Sequence, residues 1–285
     1  MARIGVIGGS GLYDLEGINK IEEISLETPF GKASDVFTLC SLGNKELVFL
    51  PRHGRNHDIS PSRINYQANI YGMKKLEVDK IISISACGSL KENLKPLDFV
   101  IPDQFVDRTN QARKHTFFDE GVVVHVSLAY PVCNHLSEVL FEACRQAEVK
   151  AHKGGVYLNM EGPQFSTLAE SKLYRSWGMD IIGMTNMAEA RLAREAEICY
   201  ISLAAITDYD CWHSQHKDVT LEMVLDNLKK NIENSKKVLR EFIRAVDEKP
   251  DCSCRDALKY AIVTRPEFIP EEVKKKLDII IGKYL

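Results

Sequence analysis

The chain of 285 residues is long enough for two average domains or one large α/β domain, at about 150 residues per domain. Apolar residues make up 45% and charged residues 27% of the sequence, which excludes a disordered, collagen-like or coiled-coil chain. The 37 Lys and Arg against 40 Asp and Glu give a net charge of −3, so no overall positive field attracts nucleic acid or an anionic membrane. Any phosphate-binding site must therefore be local.

Apolar runs and cysteine spacing bound the protein class further. Uncharged apolar runs such as 198–207 span about ten residues, well short of the roughly 18 that cross a bilayer. Residues 4–13 lack the leucine-rich core and cleavage site of a signal peptide, so we expect a cytosolic protein. Eight cysteines are too few for a disulfide scaffold, and they contain no Cys-x-x-Cys pair typical of zinc sites, so we predict no metal.

Strand patterns dominate the first half of the chain. Residues 3–7 form a short apolar run that ends in Gly8-Gly9-Ser10-Gly11, as expected for a buried strand followed by a turn. Residues 37–42 and 46–51 flank Gly43-Asn44, a dipeptide typical of a tight hairpin. Ser60 and Pro61 predict the start of a helix that reaches about residue 76. Further strands are predicted at 80–86, 99–105, 122–127, 156–160, 180–185 and 199–207.

Helical patterns alternate with these strands at 134–148, 168–177, 188–197 and 220–246. The alternation predicts an α/β fold, and the hairpin indicates that the central sheet is mixed rather than purely parallel. We therefore expect a single domain over residues 1–247, with a twisted mixed β-sheet flanked by helices. Residues 248–285 are predicted to form a tail that packs on the same domain, with a helix whose apolar face carries Val273, Leu277, Ile280, Ile281 and Tyr284.

The glycine-rich loop after the first strand could bind an anion through its amides and the Ser10 hydroxyl. Its glycines could equally be plain turn residues. A dinucleotide-binding loop would need a third glycine where Asp14 stands, so the match to that fingerprint fails.

Three basic side chains follow the strand at 46–51. Arg52, His53 and His57 could share one anion if the backbone turns at Gly54, because adjacent strand residues otherwise face opposite sides. A structural salt bridge of Arg52 is the alternative.

Small residues and two carboxylates end two other strands. Residues 83–89 suit a close approach of backbone to ligand, and Cys87 is better explained as a buried, inert thiol than as a nucleophile. Asp208 and Asp210 would point to one side in extended backbone, after the most apolar strand. They could form a solvated loop or, in a closed pocket, have raised pKa values suited to proton transfer.

Seven motifs in order along the chain resemble the 5′-methylthioadenosine phosphorylase family, within the trimeric purine nucleoside phosphorylases. They are GGSGL at 8–12, TPFGK at 28–32, RHGR at 52–55, NYQAN at 65–69, ACGSL at 86–90, EGP at 161–163 and TDYDCW at 207–212. The resemblance implies a nucleoside phosphorylase-like α/β domain that cleaves the N-glycosidic bond of methylthioadenosine with inorganic phosphate. It implies no metal or organic cofactor, and a homotrimer or a dimer of trimers.

The same resemblance implies a role for each candidate residue. The phosphate-binding residues would be Ser10, Arg52, His53, Ser85, Ala86 and Thr185. Ribose and base would contact Met184, Phe165, Ser166 and Ile182. The catalytic carboxylates would be Asp208, as proton donor to purine N7, and Asp210 at the amino group. The methylthio pocket would comprise His57, Leu221, Val224, Leu225 and His125, the last contributed by a neighbouring subunit.

Carboxylates at the purine favour a 6-amino base, since the amino group is a donor and needs an acceptor, whereas a 6-oxo purine needs a donor. A purine nucleoside phosphorylase of broad or 6-oxopurine specificity is the alternative within the same class. A nucleotide-sensing or NAD-binding module built on the glycine loop is the alternative outside it. The Cys252-Ser253-Cys254 triplet resembles a Cys-x-Cys feature of some heat-loving members, and by analogy Cys133 and Cys199 are further disulfide candidates.

Overall fold

The computed structural model describes residues 3–12, 15–110, 113–213, 221–247 and 252–285. Its strands are β1 (Arg3–Gly8), β2 (Asn19–Ile24), β3 (Glu27–Thr28), β4 (Gly31–Lys32), β5 (Phe37–Leu42), β6 (Lys45–Pro51), β7 (Val78–Ser89), β8 (Phe99–Ile101), β9 (Gln104–Arg108), β10 (Ala151–Lys153), β11 (Val156–Met160), β12 (Ile181–Gly183) and β13 (Cys199–Asp208). Its helices are α1 (Tyr66–Lys75), α2 (Asn134–Gln146), α3 (Leu168–Ser176), α4 (Asn186–Glu195), α5 (Leu221–Ala245), α6 (Glu271–Lys276) and α7 (Asp278–Ile281). Among the described helices, none is both long enough and apolar enough to cross a bilayer.

Eleven of the described strands form one mixed sheet, which confirms the predicted α/β class. The main order is β10-β8-β13-β7-β1-β6-β5-β2, and β12 pairs antiparallel with the end of β7. The four central strands, β13, β7, β1 and β6, are mutually parallel. Their carboxyl ends therefore lie along the same edge, which is where open α/β sheets bind ligands.

The central strands are buried because helices cover them. Every residue of β13 is buried, which explains why its sequence is a continuous apolar run rather than an alternating one. Helices α2 and α5 pack on each other and on β13, while α1 and α4 pack on each other and on β7. This layering fixes the central strands and leaves their carboxyl ends to form a site.

Three predicted elements differ from the structure. Residues 61–63 form a separate 3₁₀ turn, and α1 begins later because the Asn65 side chain accepts a hydrogen bond from the Ala68 amide as its N-cap. The predicted strand at 99–105 divides into β8 and β9 at Pro102, which has no amide to donate to a ladder. The predicted strand at 122–127 is wrong, since that segment has only an isolated bridge between Val124 and Ile262.

The C-terminal segment packs into the same core as the sheet. Its buried apolar residues are Leu258, Ile269, Leu277, Ile280 and Ile281, and all belong to the main hydrophobic cluster. The single predicted helix is instead divided into α6 and α7 at Leu277, which adopts a non-helical backbone. The division turns both short helices so that their apolar residues reach the core.

Helix α1 approaches the sheet closely at a glycine. A Cβ atom added at Gly72 would lie 2.2 Å from the ring of Phe37, which is fully buried on β5. The glycine weakens the helix by about 1 kcal/mol relative to alanine, so its presence reflects the lack of space.

We predict that Gly72→Ala lowers the free energy of unfolding, because overpacking costs about 1–3 kcal/mol and exceeds the gain in helix propensity. Chemical denaturation would measure the change. In a Phe37→Leu background the same substitution should become neutral or stabilising, since the leucine side chain vacates the contested space. A Gly72→Ala variant that is equally destabilised in both backgrounds would contradict this account.

Candidate active site

The candidate residues from three strands meet at the carboxyl edge of the sheet. Arg52 and His53 follow β6, Ser85 and Ala86 lie near the end of β7, and Asp208 ends β13. Ala86 is exposed although all other residues of β7 but one are buried. The sheet is therefore open to solvent at this point, as a binding pocket requires.

The Arg52 side chain is held inside the protein by a buried ion pair. Its Nε donates to Glu189 Oε1 at 2.7 Å, and the two residues are only 3% and 1% exposed. The guanidinium also donates to Ser83 Oγ and to the carbonyls of Ile7 and Ile84. Nε, Nη1 and Nη2 each donate within the protein, and the phosphate-binding role expected for Arg52 stays a prediction. The geometry matches the salt-bridge alternative.

The partners of Arg52 extend into a buried polar network beneath the edge. Ser83 Oγ and the Tyr200 hydroxyl both donate to Glu189 Oε2. The Asn186 amide donates to the Ser83, Ser202 and Tyr200 oxygens, and its own oxygen accepts from Ser85 Oγ at 2.8 Å. This network joins β6, β7 and β13 to α4, because each of these elements contributes at least one member.

Helix α4 begins at the same edge. Thr185 is its N-cap, is buried, and makes no capping hydrogen bond with its side chain. The Met187 amide donates to Asn159 Oδ1, and the Thr185 hydroxyl and the other first-turn amides are donors at a helix end whose dipole favours an anion. Ser85 lies next to this N-terminus, because its hydroxyl hydrogen-bonds to Asn186, the first residue of α4. This corner therefore offers neutral donors to an anion.

His53 is a neutral imidazole next to these donors. Burial, together with the positive charge of Arg52, lowers the pKa of His53 to about 4. Its Nδ1 lies 2.8 Å from the Ile59 carbonyl, so in the neutral ring Nδ1 carries the proton and Nε2 is an acceptor. The exposed His57 ring stacks on it, with centroids 4.5 Å apart.

Asp208 is buried and hydrogen-bonded at both oxygens. A register shift in the β13–β7 ladder between Ile206 and Asp208 re-aims the strand end, so that Asp208 lies opposite Gly88. A side chain at Gly88 would contact the Asp208 carboxylate at 3.0 Å and Ile182 at 3.1 Å, so only glycine leaves this corner open. Burial raises the pKa of Asp208 above its ordinary value.

The partner of Asp208 is compatible with a protonated acid. Thr207 Oγ1 lies 2.6 Å from Asp208 Oδ2 and 3.2 Å from the Cys87 carbonyl. A hydroxyl has one proton, so when Thr207 donates to that carbonyl it can accept the proton of a neutral Asp208.

Asp210 carries an unused acceptor. Its backbone turns into the left-handed region, with φ of 50°, and its amide donates to Asp208 Oδ1 at 2.8 Å. The extended backbone expected between the two carboxylates is therefore wrong. Burial raises the pKa of Asp210, although the nearby Ser171 hydroxyl, the Cys211 amide and the Ser166 hydroxyl lower it. Among the described residues, nothing hydrogen-bonds to its Oδ2.

The loop that carries Asp210 is anchored at its far end. Trp212 Nε1 donates to the Ser89 carbonyl at 2.7 Å, and the Arg175 guanidinium stacks on the indole at 3.4 Å from the ring centroid. The segment that carries both aspartates is thus attached to β7 at each end, at Asp208 by strand pairing and at Trp212 by this hydrogen bond.

The other expected ligand residues are distributed unevenly. Ile182 and Ser166 are buried beside the two aspartates, Met184 is half-buried, and Phe165 is exposed. His125 is exposed outside the sheet, and its amide donates to the Ala261 carbonyl of the C-terminal segment. Leu225 is exposed on α5, while the side chains of Ser10, Leu221 and Val224 lie outside the described residues.

Comparison with known proteins shows the family to which the chain belongs. The sequence model that defines the phosphorylase superfamily matches residues 3–244 of this chain. The chain is 53% identical to an S-methyl-5′-thioadenosine phosphorylase of Geobacter sulfurreducens, over 99% of each chain. The chain belongs to the S-methyl-5′-thioadenosine phosphorylase family of this superfamily.

Two solved structures extend the similarity within the methylthioadenosine phosphorylases. One, sourced from an Antarctic soil metagenomic library, has a TM-score of 0.93 at 45% identity over 98% of each chain. The other is a variant of adenosine/methylthioadenosine phosphorylase from Schistosoma mansoni in complex with methylthioadenosine. It has a TM-score of 0.84 at 34% identity, over 91% of this chain and 96% of that chain.

Several residues that build this phosphorylase site were missed by sequence reasoning. Asn186 and Glu189 organise the network under the edge, and Arg113 donates to the carbonyls of Glu161 and Met184. A usable signal for the first two was their spacing of three among the apolar residues that begin α4, which puts both on one face toward the sheet. Arg113 had no such signal, because its partners are more than forty residues away in sequence.

We predict that Glu189→Gln lowers the free energy of unfolding by about 3–5 kcal/mol, because it leaves the Arg52 charge buried without a counter-charge. Equilibrium denaturation would measure the loss. The control is Glu46→Gln, which removes the partly exposed Arg3–Glu46 pair between β1 and β6 and should cost less than about 1 kcal/mol. Equal losses in both variants would contradict the importance of the buried pair.

Proposed function

We propose that this protein cleaves 5′-methylthioadenosine with inorganic phosphate, giving adenine and 5-methylthioribose 1-phosphate. The observation that carries the proposal is the pair of buried carboxyls, Asp208 and Asp210, with raised pKa values at the open edge of the sheet. The close relatives named as methylthioadenosine phosphorylases support it. The reaction needs no metal or organic cofactor, because phosphate is the attacking co-substrate.

The phosphate is bound mainly by neutral donors in this proposal. Thr185 and the backbone at Ala86 and Ser10 would donate to the anion, at the N-terminus of α4. The Ser85 hydroxyl would donate as well by turning from Asn186 Oδ1 to the anion. His53 Nε2 is an acceptor, so it would take a hydrogen bond from the phosphate hydroxyl. Arg52 would act through its field and through the network that orients Ser85, rather than by direct contact.

The purine would be bound at the two aspartates. Protonated Asp208 would donate to N7 as the glycosidic bond breaks, which stabilises the leaving base. The free Oδ2 of Asp210 would accept a hydrogen bond from the exocyclic amino group. Phe165, Ser166 and Ile182 would surround the ring, and Met184 would contact the ribose.

The specificity for a 6-amino purine follows from the same pair. A 6-oxo group opposite a carboxylate would put two acceptors together and leave both without a donor. A purine nucleoside phosphorylase of broad specificity is the second candidate, because the S. mansoni relative is named an adenosine/methylthioadenosine phosphorylase.

The methylthio group would enter a pocket completed by a second subunit. His57, Leu221, Val224 and Leu225 would come from one chain and His125 from its neighbour. The segment of His125 supports an interface, since it exposes Val123 (50%) beside Val263 (61%) and Tyr260 (91%) of the C-terminal segment. Such an exposed apolar patch is typical of an interaction surface. A trimer, with or without pairing into a hexamer, would bury it.

The function is tested by measuring release of free base from methylthioadenosine, adenosine and inosine, each with and without phosphate. We expect adenine release that requires phosphate and a kcat/KM that is highest for methylthioadenosine. Comparable kcat/KM for adenosine would favour the broad-specificity candidate. Inosine as the best substrate would overturn the proposed base recognition.

The two aspartates should differ in their variants. Asp208→Asn removes the acid and should lower kcat/KM by one or more powers of ten on every nucleoside, about 1.4 kcal/mol for each. Since its raised pKa keeps Asp208 protonated to higher pH, wild-type kcat/KM should fall as pH rises through that pKa, and the variant should lose this fall. Asp210→Asn should instead lower activity on methylthioadenosine much more than on inosine. An unchanged ratio of the two substrates in Asp210→Asn would exclude contact with the amino group.

We predict that Val263→Asp places a charge in the proposed interface and shifts the protein from trimer or hexamer to monomer. Light scattering coupled to size exclusion would measure the mass. Activity should fall with assembly, because His125 then no longer reaches a neighbouring site. Lys230→Asp on the exposed face of α5 is the control and should leave the mass unchanged. A monomeric wild type with full activity would contradict the shared site.

A further inference from the structure

Four cysteines that the proposed reaction does not use lie together on the protein. They are Cys133 at the N-cap of α2, Cys199 at the start of β13, and Cys252 and Cys254 in the C-terminal segment. Their sulfur atoms all lie within 4.8 Å of one another. Three of the four are buried and the fourth is half-buried.

The separations suit a single central cation. Four thiolates bound tetrahedrally to zinc, at a Zn–S distance of about 2.3 Å, have sulfurs about 3.8 Å apart. The Cys199–Cys252 contact of 3.3 Å lies just below this value, and the 4.8 Å limit of the cluster lies just above it. Small side-chain rotations would bring all four sulfurs to one radius.

The arrangement suits disulfides less well. Two disulfides need two separate pairs of sulfurs, each at about 2.0 Å, whereas here all four sulfurs form one group. Cys199 Sγ lies 3.3 Å from Cys252 Sγ, and the Cys133 thiol also hydrogen-bonds with Cys199 and Cys254, so the contacts do not divide the four residues into two pairs. All four thiols are free in the structure.

The surroundings favour the negative charge of a thiolate site. Cys133 caps the N-terminus of α2, a helix of 13 residues, where the dipole stabilises thiolates. The neighbouring Cys133 thiol and burial raise the pKa of Cys254, and the positive charge of Arg194 opposes this rise. Both features offset part of the net charge of −2 that Zn²⁺ and four thiolates carry.

We propose that Cys133, Cys199, Cys252 and Cys254 form a structural tetrathiolate site for zinc that attaches the C-terminal segment to the domain. Each thiol releases its proton as it binds, and no oxidant is required. The ligands come from three separate segments, which is why their sequence spacing predicts no metal. Four protein ligands close the coordination shell, so the site is structural rather than catalytic.

The metal content of the full-length protein, purified with reductant and washed with a weak chelator, tests the proposal. We expect inductively coupled plasma mass spectrometry to find one zinc ion per chain. Cys252→Ser and Cys254→Ser should each lose most of this zinc. The control is Cys144→Ser, which changes a buried cysteine of α2 outside the cluster and should retain one zinc ion per chain.

Cobalt provides a readout on the wild type that does not depend on how the variants fold. Co²⁺ added to the reduced, metal-free protein should give the visible absorption of a tetrahedral thiolate site, and one equivalent of Zn²⁺ should abolish it. Failure of the reduced protein to bind Zn²⁺ or Co²⁺ at one equivalent would overturn the proposal. Peptide mapping that finds disulfides among the four residues in reductant-free protein that binds no metal would overturn it equally.

Discussion

The ion pair between Arg52 and Glu189 is the interaction on which the organisation of the sheet edge depends. It joins the strand that precedes Arg52 to helix α4, and the Ser83 and Tyr200 hydroxyls connect it to the two neighbouring strands. A buried pair costs desolvation and is tolerated only when its remaining donors and acceptors are satisfied. Here four further oxygens complete it, so several elements must keep their positions for the charge to remain stable.

This constraint shapes the chemistry above it. Because the Arg52 charge is balanced, the proposed phosphate corner relies on a helix N-terminus, hydroxyls and a neutral imidazole. The opposite end of the edge holds two carboxyls with raised pKa values. Burial raises the pKa values of both acids and so lowers their tendency to ionise, which reduces their repulsion of an anion in the same cavity.

Much of the fold could be predicted from sequence, because strong patterns repeat over many residues. The apolar run of β13 and the Gly43-Asn44 hairpin both appear where periodicity and turn chemistry predict them. The sequence offered two possible starts for α1, at Ser60-Pro61 and at Asn65, and which of them caps the helix could not be predicted. The division of the tail helix at Leu277 also arises from packing rather than from propensity.

The candidate site was predictable in location but not in detail. Strand ends rich in small and charged residues indicated the edge at which the structure gathers these side chains, since parallel strands bring those ends together. The partner of Arg52 was not predictable, because Glu189 lies 137 residues away in sequence. The same limit applies to the four cysteines, whose proximity depends on how the C-terminal segment folds back.

The C-terminal segment contacts both the cysteine cluster and the strand-like stretch next to His125. If His125 completes the site of an adjacent chain, a defect in the C-terminal segment of one chain impairs the active site of its neighbour. Assemblies that mix intact and truncated chains would therefore contain intact chains with incomplete pockets. Each damaged chain would remove one pocket, so the loss of activity would follow the fraction of damaged chains, although the incomplete pockets lie in their neighbours.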